Sequence, residues 1–115
     1  MIYISGKMTG EPNYRNIFNL AATYCTHKYN TTEIINPVDL SDKITGKYGF
    51  SEEDSFKEEN RKIYLKIDLQ YLMDCDSIYL IYNWRKSRGA KLEHTIAKEL
   101  GLNIIYGKKG DLIIK

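Results

Sequence analysis

The run Ser77-Ile78-Tyr79-Leu80-Ile81-Tyr82 constrains the fold of this chain more than any other segment. It is rich in β-branched and aromatic residues and nearly continuous in apolar character, as a strand buried on both faces must be. Such strands occupy the middle of parallel sheets, and a parallel sheet needs crossover connections, usually helical, between its strands. The flanking sequence supplies them. Met1-Ile2-Tyr3-Ile4-Ser5 is a β-prone opening ended by Gly6. Asn13 stands where it can cap a helix in which Ile17, Leu20, Ala21 and Tyr24 recur at three- and four-residue spacing. Glu33-Ile34-Ile35 reads as a second strand, stopped at Asn36-Pro37 because proline cannot donate to a ladder.

Residues 38–49 are mostly polar and punctuated by glycine, and read as a long loop. Ser51-Glu52-Glu53-Asp54 resembles a capping box at the start of a long helix ending near Asp74, with Ile63, Ile67, Tyr71 and Leu72 inward. Residues 83–88 form a polar loop. Gly89 opens a helix with Ala90, Leu92, Ile96, Ala97 and Leu100 as its apolar positions and Gly101 as its stop. Asn103-Ile104-Ile105-Tyr106 is a fourth strand, and Leu112-Ile113-Ile114 a fifth at an edge. Strands alternating with helices predict one α/β domain over residues 1–115. Its parallel sheet has four to five strands with helices on both faces, in a Rossmann- or flavodoxin-like arrangement.

Composition narrows the partners. A net charge of +2 is too small for a nucleic-acid binder that works by neutralising phosphates. Arg85, Lys86 and Arg88 form the densest basic group, suited to one phosphate or to a solvated loop. Cys25 and Cys75, the two cysteines, have no partners at metal-ligand spacing, and His27 after Cys25 is a weak signal. No metal and no cofactor are expected. The N-terminus does not resemble a signal peptide and no apolar run reaches membrane-spanning length, so a cytoplasmic protein away from membranes is expected.

Ligands of open parallel sheets bind beyond the carboxyl ends of the strands. That rule selects residues 5–13, which begin with Ser5 and Gly6, and residues 83–89. Ser87-Arg88-Gly89 opens a helix, where free amides and the dipole favour an anion. Glu93, about one turn further, either reaches the pocket or is an ordinary surface glutamate. Asp68, between Ile67 and Leu69, is either a general acid with a raised pKa or part of a polar helix face. Tyr3 either orients a carboxylate or packs in the core.

Tyr3-Ile4-Ser5-Gly6 with Thr9-Gly10, Asn36-Pro37, Asp68, Cys75-Asp76, Trp84, and Ser87-Arg88-Gly89-Ala90 with Glu93 and Ala97 follow in order over residues 1–106. This series resembles the nucleoside 2-deoxyribosyltransferase-like superfamily, most of all a branch of short phage and bacterial proteins of largely unassigned function. The resemblance implies that Glu93 is the nucleophile, that Asp68 helps protonate the departing base, and that Tyr3 positions the nucleophile. Ser87 stands where the transferases carry an aspartate and where related deoxynucleoside-monophosphate hydrolases carry a serine near the 5′-phosphate. The expected partner is therefore a nucleotide more than a nucleoside. Arg88 and the helix start would hold the phosphate, and Trp84 or Tyr82 would stack on the base. The chain is shorter than the transferases, which weakens the case for transfer to an acceptor base. The resemblance also implies a homo-oligomer, a dimer or larger. Two other functions fit the residues: a protein that sequesters a nucleotide or nucleotide signal without chemistry, and a structural or interaction domain.

Overall fold

In the computed structural model, which describes residues 1–113, the four expected strands form one parallel sheet. They are β1 (Ile2–Ser5), β2 (Ile34–Ile35), β3 (Ser77–Leu80) and β4 (Asn103–Tyr106), in the order β2-β1-β3-β4. In register, Ile2 of β1 faces Ile34 on one side and Ser77 on the other, and Ser77 faces Asn103. The helices are α1 (Tyr14–Lys28), α2 (Pro37–Tyr48), α3 (Glu52–Ser55), α4 (Arg61–Met73) and α5 (Arg88–Leu100). This is a Rossmann- or flavodoxin-like α/β fold.

Strand alternation divides the core in two. Ile2, Ile4, Tyr79 and Ile81 pack against Ile17, Phe18, Ala21 and Cys25 of α1. On the opposite face, Tyr3, Ile78 and Leu80 meet Leu72 of α4 with Ala90 and Ala97 of α5. The chain leaves β1 toward β2 on one side and returns to β3 on the other. The switch point therefore falls between β1 and β3, where such sheets open a crevice.

Several local expectations differ from the structure. Residues 38–49 are not a loop, because Pro37 ends β2 and also occupies the first position of α2. The Asn36 side chain accepts from the Val38 amide at 3.1 Å, and Gly49 closes the helix in the left-handed region at φ 67°. Pro37, Val38, Leu40 and Ile44 are its buried side chains. Ser51 and Asp54 do form a reciprocal capping box, but the helix they start lasts one turn. With no buried side chain, α3 has no packing to extend it. A 3-10 turn (Glu58–Asn60) leads into α4, whose buried residues are Tyr64 and Leu72, while Tyr71 is exposed. Asn13 precedes α1 but makes no side-chain cap. On α5, Leu92 and Leu100 are exposed, and Ala90, Glu93 and Ala97 are buried. Tyr82 lies beyond the end of β3. The expected fifth strand is absent among the described residues: Leu112 ends a 3-10 turn (Lys109–Leu112), and Ile114 lies outside them.

That final turn is docked through close approach at Gly107. A Cβ there would lie 2.5 Å from the Tyr79 ring and 2.6 Å from the Leu80 carbonyl oxygen. Gly107→Ala is therefore expected to cost about 2–4 kcal/mol, by displacing the chain beyond β4 from β3. Urea unfolding checks this; an unchanged midpoint would contradict the close approach.

Candidate active site

At the switch point a cavity of about 410 Å³ opens past the end of β1, walled by the N-terminus of α5, the inner side of α4 and the start of α2. Close backbone approach builds its floor. A Cβ on Gly6 would sit 2.8 Å from Cδ1 of Ile81, so glycine lets the two strand ends converge. The Lys7 amide then donates to Oδ1 of Asn83 at 3.1 Å, tying the two loops together.

Tyr3 and Ser5 are two apart on β1 and so project to the face covered by α5. Glu93 meets them there. The Tyr3 hydroxyl donates to Oε2 of Glu93 at 2.5 Å, and the Ser5 hydroxyl donates to Oε1 at 2.7 Å. Glu93 is 7% exposed, and Tyr3 and Ser5 are fully buried. Burial pushes the Glu93 carboxyl up to about 7, against the opposing pull of the two hydroxyl donors. Asp68 lines the same cavity from α4. Its carboxyl is held well above the ordinary carboxylate range, first by burial and then by the charge of Glu93. Tyr3 is raised well above the usual phenol range by burial, with Glu93 adding to it, and so remains a donor.

Ser87, Arg88 and Gly89 line the cavity at the start of α5. The Ser87 oxygen accepts from the Ala90 amide at 3.1 Å, a cap worth about 1 kcal/mol. The amides of Arg88 and Gly89, at the first two helical positions, have no intrahelical acceptor. A Cβ on Gly89 would meet nothing closer than the Ser87 oxygen at 4.0 Å, so this turn is open. Arg88 pairs with both oxygens of Glu58 at 2.9 and 2.8 Å, across the cavity rim. Both side chains are mostly exposed, and a pair of that kind contributes at most about 1 kcal/mol.

The structure brings Tyr3, Asp68, Glu93, Gly6, Ser87, Arg88 and Gly89 to one cavity. Three expected substrate contacts lie elsewhere. Ser5 is behind Glu93 and outside the cavity wall, because its strand position points it into the sheet–helix interface. Trp84 is buried against the His94 ring at 4.4 Å with Arg85 over its face, again outside the wall. Tyr82 lies under Lys109 on the surface. Phe56 and Tyr64 supply aromatic surface to the cavity instead, and Lys7 and Arg61 add cationic side chains. Lys7 falls inside the loop that the strand-end rule selects. Phe56 carries no sequence signal, since it follows a one-turn helix with no periodicity.

Among the described residues no cluster of three His, Cys, Asp or Glu side chains could hold a metal ion. Both cysteines are free, and burial raises the Cys25 thiol to about 12 and the Cys75 thiol to about 11. Among the described residues no helix is long and apolar enough to cross a membrane.

No curated protein and no solved structure matches the chain. The model of one family, described as a domain of unknown function (DUF4406), matches residues 1–106, a span that runs from β1 through β4 and contains every cavity-lining residue. The chain therefore belongs to the DUF4406 family.

Proposed function

We propose that the protein cleaves the N-glycosidic bond of (deoxy)nucleoside 5′-monophosphates through a covalent glutamyl–sugar intermediate, with water or a second base as acceptor. The observation that carries this reading is a buried carboxylate, Glu93, gripped through both oxygens in the cavity that a second, partly buried acid, Asp68, also lines. Two carboxyl groups with separated protonation states are the equipment of glycosidic cleavage. An oxygen of ionised Glu93 attacks the anomeric carbon as the C–N bond breaks. The bonding pair leaves with the base, which takes the proton of Asp68. Water then attacks the same carbon, gives a proton back to Asp68 and releases Glu93 as carboxylate. The open amides at Arg88 and Gly89, with the Arg88 side chain, suit the 5′-phosphate and so hold the sugar over Glu93. Phe56 and Tyr64 are suited to the base. The order of motifs shared with the nucleoside 2-deoxyribosyltransferase-like superfamily supports the same assignment. It also supports a cytoplasmic homo-oligomer in which a neighbouring copy completes the cavity.

Incubation with a panel of deoxynucleosides and their 5′-monophosphates, followed by chromatography of free base, tests the reading. Base is expected from monophosphates in preference to nucleosides. Nucleotide binding with no base formed would replace catalysis by sequestration. No rise in melting temperature with any nucleotide would leave only an interaction domain.

A further inference from the structure

Burial raises both Glu93 and Asp68, yet cleavage requires them in opposite protonation states. Charged neighbours do not separate them cleanly. Lys7 from the β1 loop, Arg61 from α4, Lys86 and Arg88 from the loop and start of α5, and the Lys57–Glu58 segment all border the one cavity. Hydrogen bonding does separate them. Glu93 accepts a hydroxyl on each oxygen, whereas no donor reaches Asp68 among the described residues. Donors to a carboxylate favour its charged form.

We propose that Ser5 is a positioning residue that, together with Tyr3, keeps the negative charge on Glu93 and thereby leaves the proton on Asp68. The inference rests on the N-glycosidase reading for its catalytic meaning, but not for the pairing itself. Ser5 is fully buried and absent from the cavity wall, so it acts on bound substrate only through Glu93. Packing does not call for it, since alanine would fill the same strand position without a hydroxyl to satisfy. Its carbonyl accepts from the Ile81 amide at 2.8 Å, and Ser5 stands in register with Leu80 of β3, so the hydroxyl is held on a rigid base. Tyr3 occupies Oε2 alone; without Ser5, Oε1 would lie buried with no donor. Each carboxylate oxygen keeps a further lone pair, so the grip does not block attack.

The test follows the carboxyl carbons by NMR in protein labelled with ¹³C at glutamate Cδ and aspartate Cγ. The Glu93 and Asp68 signals are assigned by their loss in Glu93→Gln and Asp68→Asn. In Ser5→Ala, with folding verified by circular dichroism, the Glu93 midpoint is expected to rise by about one to two pH units. Ser5→Thr, which keeps the hydroxyl, restores the wild-type midpoint. Ser5→Cys, a weaker donor of similar size, gives a smaller rise and serves if the alanine variant does not fold. The ascending limb of the pH–rate profile moves with the midpoint while KM stays near wild type. An unchanged Glu93 titration in a folded variant overturns the proposal, as does a rise in KM with no change in titration. A shifted titration in a protein that releases no base at any pH leaves the pairing standing and removes the glycosidase reading instead.

Discussion

Glu93→Gln is expected to lower kcat for base release by at least about 10³-fold. The same variant is expected to melt roughly 10 °C above wild type at pH 8. The two effects have one origin. An amide of the same shape cannot form the ester to the sugar, so turnover stops. It also carries no charge that burial penalises. Burial raises the Glu93 carboxyl from 4.5 to about 7, so between those values the folded chain holds a proton that the unfolded chain has released. Stability attributable to this group is present below pH 4.5 and is lost as pH rises through about 7. At pH 8 the loss amounts to about 3 kcal/mol, at 1.36 kcal/mol per pH unit. Calorimetry at pH 4 and pH 8 checks the sign: the variant and wild type should melt alike at the acid end and separate at the basic end. Undiminished turnover would remove Glu93 as nucleophile, and coincident melting at pH 8 would remove the burial penalty.

Asp68→Asn is expected to lower the rate by about 10²–10⁴-fold, the usual contribution of a positioned general acid. The wild-type profile should rise through about pH 7 as Glu93 ionises and fall at higher pH as Asp68, raised by burial and by Glu93, gives up its proton. Asparagine removes the falling limb and leaves the rising one. A 7-methylpurine deoxynucleotide separates acid catalysis from mere damage, because its base already carries positive charge and departs without a proton. The variant should act on that substrate nearly as well as wild type. An equal loss on both substrates would deny Asp68 the role of acid.

The sheet was readable because each strand is a short apolar run bounded by glycine, proline or polar residues, a pattern that holds for the buried β1 and β3 and for the partly exposed edge strand β4 alike. Asn103-Ile104-Ile105-Tyr106 shows this, with its limits reproduced residue for residue. Helix α2 was not readable, because Pro37 serves two roles and Gly46 and Gly49 resemble loop punctuation. Its evidence is the spacing of Leu40 and Ile44 behind the Asn36 cap, too short a pattern to outweigh two glycines. At the site, the strand-end rule located Gly6 and Ser87–Gly89, while the convergence of Asp68 with Glu93 depends on how α4 packs on α5, which no local pattern encodes. The place of Ser5 was available from strand alternation, since it shares a face with Tyr3. The strand-end rule instead makes Ser5 the first residue of a ligand-binding loop. Trp84 looked like a stacking surface by residue type alone, and its neighbours His94 and Tyr106 come from the following helix and from β4.

The two hydroxyls stand on a strand paired with β3 along its whole length, whereas residues 55–58 of the opposite wall are tied to the body by the exposed ion pair Glu58–Arg88 and by the Phe56 ring against Tyr14. On the proposed reading, chemistry and recognition are thus carried by parts of unequal tolerance to change. Substitutions or insertions across that short stretch would reshape the cavity while Tyr3, Ser5 and Glu93 keep their geometry. Diversification of such a scaffold would proceed by exchanging its outer wall around a conserved hearth.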